Sequence, residues 1–298
     1  MTTSVHYGQP NNKPLTDMNM TNANCPTQLD TVTVSRVASL PGRLAALTML
    51  LAMLLVAACT PMQTAPQEES VSNAQRLSER GDHVSASREY LDLAVKSAGD
   101  QRQRYLIFAA GELYLANDLD GTENILNRLG PDIAPTNLTI WAEVTALLKR
   151  ARNDPEGALA ALNQVKSTDN KAAAARILLL RGESLFQLER PRAAVATLLK
   201  REELLSRSAA IEANRALIWS GLQATGSVIQ PDAIATTQDP VLAGWLELGY
   251  ISYINRSSLS NLTKVLEEWQ VQNPNHPATG KLLDDVLANM GTLSIYPN

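Results

Sequence analysis

Four short segments of this chain recur at an interval of 36 residues, and that interval restricts the fold more than any single residue does. They are Gly81-Asp82, Asn117-Asp118, Asn153-Asp154 and Glu189-Arg190. In register with them a small or short residue recurs at Ala86, Thr122, Ala158 and Ala194. Four residues further on stands a larger apolar one, Tyr90, Leu126, Leu162 and Leu198. Twelve residues before the small position lie Ala110, Ala146 and Gly182. Residues i and i+4 share one helix face, so each unit reads as a helix, a polar turn and a second helix. A small residue where two helices cross lets their backbones approach, and the large neighbours fill the groove beside the crossing. The turns carry their own caps: in Asn153-Asp154-Pro155-Glu156 the Asp suits an N-cap and Pro155 the first helical position. One such unit cannot bury its own apolar face, so the units must stack. The pattern predicts an all-α solenoid of helical hairpins.

This pattern resembles the tetratricopeptide repeat over residues 71–226. It matches in the small residue of the first helix and in the small residue twelve positions later. It departs in its period of 36, in Leu129, Val165 and Arg201 at the second small position, and in the displaced closing prolines, Pro131 and Pro135. The fold expectation is therefore tetratricopeptide-like, and the departures weigh against a standard peptide-binding groove. Beyond Gly226 the register is lost while helical spacing continues, predicting helices over Asp239–Tyr253, Ser258–Gln272 and Pro277–Asn289. Residues 227–298 are read as helices closing this domain and as the start of a linker.

The N-terminus reads as an address. Residues 1–43 are rich in Thr, Asn and Pro and show no helical periodicity. Arg43 then precedes an apolar run of fourteen residues, Leu44 to Ala57, the length of a signal-peptide core and short for a membrane span. The run ends at Val56-Ala57-Ala58-Cys59, which resembles the lipobox of bacterial lipoproteins, with Val56 where Leu is usual. That resemblance implies cleavage after residue 58 and lipidation of Cys59. Thr60, rather than Asp, at the next position implies the periplasmic face of the outer membrane. Residues 59–70 would then be the lipidated Cys and a polar, Pro-containing tether. The leader is long, and Met18 or Met20 would serve as an alternative start.

Removing the 58 leader residues from 298 leaves 240, with 23 basic and 28 acidic side chains. No basic block stands out, which argues against a nucleic-acid partner. Cys25 falls in the leader and Cys59 is the lipid site, so no disulfide is expected and stability rests on an Ala- and Leu-rich core. No catalytic constellation, cofactor motif or metal-ligand spacing is present. His83 lies in a turn and His276 between two prolines, positions that suit capping or surface roles. The adjacent carboxylates Glu202-Glu203, Glu267-Glu268 and Asp284-Asp285 point about 100° apart on a helix, which does not make acid–base pairs. Trp141, Trp219, Trp245 and Trp269 fall among apolar residues and are expected in the core.

One late stretch is more specific: Leu266-Glu-Glu-Trp269, then Asn273-Pro274-Asn275-His276-Pro277-Ala278. Pro274 stops one helix, Pro277 suits the start of the next, and His276 would be hydrogen-bonded within a rigid elbow. This stretch, with the lipobox and the repeats, resembles the N-terminal domain of the LpoA (LppC-type) lipoproteins. The resemblance implies a regulator without enzymatic activity or cofactor. It would activate a class A penicillin-binding protein of the 1A type, reaching it from the outer membrane through the peptidoglycan. It also implies a second domain of periplasmic-binding-protein type, whose first strand would begin after Asn298. Two other readings stay open at this stage. One is a tetratricopeptide-like lipoprotein scaffold for barrel assembly or secretion. The other is a lytic transglycosylase, which would need a lysozyme-like domain with a catalytic Glu that this sequence does not supply.

Overall fold

The computed structural model describes residues 66–295, and among them the chain forms helices and turns but no strand. In chain order the helices are α1 (Pro66–Glu79), α2 (His83–Val95), α3 (Gly99–Leu115), α4 (Leu119–Asn127), α5 (Leu138–Ala151), α6 (Pro155–Leu162) and α7 (Lys171–Gln187). They continue with α8 (Pro191–Glu202), α9 (Ser208–Thr225), the short α10 (Pro231–Ala235), α11 (Pro240–Asn255), α12 (Leu259–Gln272) and α13 (Lys281–Ile295). The leader and Cys59 lie outside the described residues. Pro66 opens α1, within the span read from the sequence as tether.

Each recurring segment is the same joint. Gly81, Asn117, Asn153 and Glu189 all take left-handed backbone, with φ of 79°, 60°, 59° and 55°. The N–H of the following residue reaches back to close the preceding helix: Asp82 to Leu77 O and Asp118 to Leu113 O at 2.9 Å, Asp154 to Lys149 O at 2.8 Å, Arg190 to Leu185 O at 2.9 Å. This is the Schellman arrangement, which satisfies carbonyls that a helix end otherwise leaves unpaired. Asp82, Asp118 and Asp154 then cap the next helix by accepting from the amides of Ser85, Gly121 and Gly157. A side chain at Gly121 or Gly157 would run into its capping carboxylate. Arg190 offers no such cap, and Pro191 opens α8 instead.

The joint holds each hairpin together at its small residues. Ala86, Ala110, Thr122, Ala146, Ala158 and Ala194 are completely buried. Ala74, twelve residues before Ala86 and equally buried, brings α1 into the series. Thr122 fits because its hydroxyl is absorbed by the Asp118 and Ala110 carbonyls, at 2.8 and 3.3 Å. A Cβ on Gly182 would come within 2.6 Å of the buried Leu198. Successive long helices touch, α3 to α5, α5 to α7 and α7 to α9, so they form the continuous layer of the solenoid.

After α9 the pattern changes. A 3-10 turn at Gly226–Val228 and the short α10 replace the expected second helix, and α11 packs against both α8 and α9. A Cβ on Gly226 would come within 2.7 Å of Tyr253 and 2.9 Å of the Gly249 carbonyl, so this passage needs glycine. Helices α11 and α12 begin one residue inside the predicted limits, with Asp239 and Ser258 as N-caps. Trp219, Trp245 and Trp269 are buried in one cluster with α8 to α13, and Trp141 is half-buried. The last helix differs from expectation. It starts at Lys281, not at Pro277, because Gly280 takes φ of +85° and interrupts any helical path between them.

Three substitutions test this construction by urea unfolding. Gly182→Val should destabilise by about 1–3 kcal/mol through overpacking against Leu198. Glu189→Gly should stabilise by about 0.5–1 kcal/mol, because glycine removes the cost of left-handed backbone, whereas Asn153→Gly should change little.

Candidate functional site

The elbow at Asn273–Ala278 is built on α11. Asn273 ends α12, its amide and its side chain both donating to the Trp269 carbonyl, at 2.9 and 3.0 Å. The Asn273 carbonyl in turn accepts from the His276 amide at 3.1 Å and the Thr279 hydroxyl at 2.6 Å. Pro274 has no N–H to continue the helix, and Pro274 and Asn275 are exposed. Pro277 sits in a turn, and Ala278 is fully buried.

His276 is the inward member. Its Nδ1 accepts from the Ala278 amide at 3.1 Å, so the ring proton lies on Nε2, which donates to the Val241 carbonyl of α11 at 2.9 Å. Trp245 and Trp269 meet the imidazole edge-on, with ring centroids 5.3 and 4.9 Å away. Gly244 makes room for it, since a Cβ there would lie 2.7 Å from His276 Cδ2. Burial holds the His276 pKa below the ordinary imidazole value; the Val241 hydrogen bond opposes that shift and Arg215 adds to it.

A second polar system runs between the stacked long helices. Arg176 of α7 makes two bonds to the buried Glu143 of α5, at 3.0 and 3.2 Å. Arg150 of α5 pairs with Glu183 of α7 and donates to Gln187 at 3.1 Å. Arg104 of α3 donates to Asn137 at 3.0 Å, and Asn137, fully buried, donates to the Asp100 carbonyl. Farther out, Arg152 pairs with Asp120 and Arg190 with Glu156. Burial raises the pKa of Glu143 and Glu183, and their arginines oppose it. At the N-terminal end His83 Nδ1 lies 2.8 Å from Oε2 of the buried Glu112.

These pairs were not named from the sequence, although a signal existed. Glu143–Arg176 and Arg150–Glu183 are 33 residues apart, three short of the repeat. The arrangement neutralises charge and aligns units; it places no nucleophile beside a base. Among the described residues no group of His, Cys, Asp and Glu could hold a metal ion. No described helix is long and apolar enough to cross a membrane.

The geometry defines a class first: a tetratricopeptide-like α-solenoid whose hairpins are joined by Schellman turns and closed by a Trp-rich end. The family model described as LppC putative lipoprotein matches residues 81–297, and the chain belongs to that family. It is 25% identical over 256 residues to the penicillin-binding protein activator LpoA of Edwardsiella ictaluri, covering 83% of this chain and 35% of that protein. It is 26% identical over 243 residues to the LpoA of Vibrio cholerae, covering 79% and 38%. The chain thus spans roughly a third of the length of these relatives. Among solved structures, the LpoA N-terminal domain from Haemophilus influenzae aligns with 71% of this chain and 94% of its own, at a TM-score of 0.48 and 19% identity. The Escherichia coli LpoA amino-terminal domain aligns with 66% and 87%, at 0.45 and 21%.

The His276 geometry sets a pH dependence. An imidazole whose pKa is lower folded than unfolded favours unfolding wherever the unfolded chain binds more protons. Stability should therefore be complete above the unfolded value of about 6.5 and decline as pH falls below it. Urea midpoints at pH 7.5 and 5.5 should separate more for the wild type than for His276→Asn.

Proposed function

We propose that this chain belongs to a lipoprotein held at the periplasmic face of the outer membrane, where it regulates peptidoglycan synthesis. It does so by activating a class A penicillin-binding protein of the 1A type through protein–protein contact, and it is not itself an enzyme. The observation that carries this reading is the LppC match across residues 81–297, together with the name penicillin-binding protein activator borne by relatives that match 83% and 79% of this chain. The apolar run closing on Val56-Ala57-Ala58-Cys59 supports the anchor. The stacked hairpins support a reach away from it, since a solenoid extends in proportion to its repeats. The elbow Asn273-Pro274-Asn275-His276-Pro277-Ala278 turns the chain from α12 into α13 as a structural element of this domain, and peptidoglycan along the path is a further contact.

Two measurements test the reading. Labelling with radioactive palmitate should mark the chain and fractionate it with outer membrane, and Cys59→Ala should abolish both. The chain immobilised on beads should retain the class A synthase of the same cell, and adding it in solution should raise cross-linking by that synthase. Absence of retention, for this chain and for a longer form extending beyond Asn298, would overturn the activator reading. Retention of barrel-assembly components instead would favour a scaffold.

A further inference from the structure

Where the repeat register fails, packing leaves an opening. The 3-10 turn and α10 fill less space than a full second helix, and an open cleft of about 500 Å³ remains between them, α8 and α11. Its lining is aliphatic, with Ile229, Leu242 and Leu246 as its most buried members and Ala193 and Ala196 contributed by α8. No aromatic ring and no carboxylate lines it; the polar members are Arg190, Arg192 and Gln230. Arg190 stands where the other three joints carry a capping Asp, so a negative group has become a positive one at this mouth. Arg190 is engaged by Glu156 at 2.7 Å. Arg192 is exposed and has no ion-pair partner among the described residues.

We infer that this cleft binds a free single-chain amphiphilic anion, its aliphatic chain against Ile229, Leu242 and Leu246 and its carboxylate or phosphate head at Arg192. The lining chooses among ligand classes. Without an aromatic platform there is nothing for a nucleobase or sugar ring to stack on. An extended peptide would bury amides with only Gln230 to receive them, and unsatisfied amides are costly. An aliphatic chain has no such demand, and Arg192, a cation with no ion-pair partner among the described residues, complements an anionic head. Size selects further: at roughly 30 Å³ per heavy atom, the volume of one liquid water, the cleft holds one chain of about twelve carbons with its head.

Equilibrium dialysis of the full chain against radiolabelled dodecanoate and, separately, dodecyl phosphate tests this. Saturable uptake of one ligand per chain is expected for both, and uncharged dodecanol should bind about tenfold more weakly. Arg192→Glu should weaken both anions by about tenfold or more. Ala193→Trp, at an exposed position, should fill the cleft and remove saturable uptake while the helical circular dichroism is unchanged. Uptake that does not saturate, or that both variants share with the wild type, reports partition into the apolar leader and overturns the inference. Co-sedimentation with phosphatidylglycerol vesicles without uptake of either free anion also overturns it, transferring Arg192 to a bilayer role.

Discussion

The two helices of each hairpin meet at residues with almost no side chain, and that close approach sets the terms for the rest of the chain. Ala74, Ala86, Ala110, Ala146, Ala158 and Ala194 are fully buried in the paired helices, Thr122 bonds the Ala110 carbonyl, and a Cβ on Gly182 would run into Leu198. Helices so close cannot be joined by a loose loop. Each joint instead reverses the chain with one left-handed residue, and the next residue both closes the first helix and starts the second. The conformation is costly for Glu189, which neither glycine's freedom nor asparagine's tolerance helps. That it persists there shows that packing of α7 on α8, not local preference, determines the turn.

Once the hairpins are fixed, the long helices stack on one another, and their polar residues must find partners in the neighbouring unit. Glu143 is the telling case. A buried carboxylate without a cation is strongly unfavourable, and a buried pair adds little over an apolar contact of the same shape. The Glu143–Arg176 pair therefore contributes less to total stability than to register: sliding α7 by one turn along α5 would leave the carboxylate buried and unpaired. Apolar contacts between Ala and Leu are tolerant of such a slip; the ion pairs are not.

Much of this was legible from residue order alone, because volume and capping act locally. The small and large positions and the Asp caps of the repeat turns are each visible within a few residues. The start of α13 was not, since Pro277 satisfies every rule for a first helical position and only the backbone of Gly280 forbids it. The partner of His276 was equally hidden. Its expected hydrogen bonding could be read from the turn, but Val241, 35 residues earlier, enters only through the packing of α12 on α11. The Arg–Glu pairs were hidden by the shift between stacked units, which turns a period of 36 into a contact spacing of 33.

The closing unit shows how an interruption can be stabilised without another repeat. An array that simply stopped at α9 would expose the apolar face its next hairpin should cover. Here α11 packs on both α8 and α9, using Gly226 and Gly249 for close approach where the repeat would have used alanines. That substitution leaves α12 to be tied down separately, and His276 does so with one ring: a hydrogen bond to α11, another to its own turn, and two indole edges around it. Neutral imidazole is needed for both hydrogen bonds at once, since Nδ1 must accept while Nε2 donates. The same broken register that requires this clamp also leaves the aliphatic cleft beside α8, so clamp and cleft have one origin.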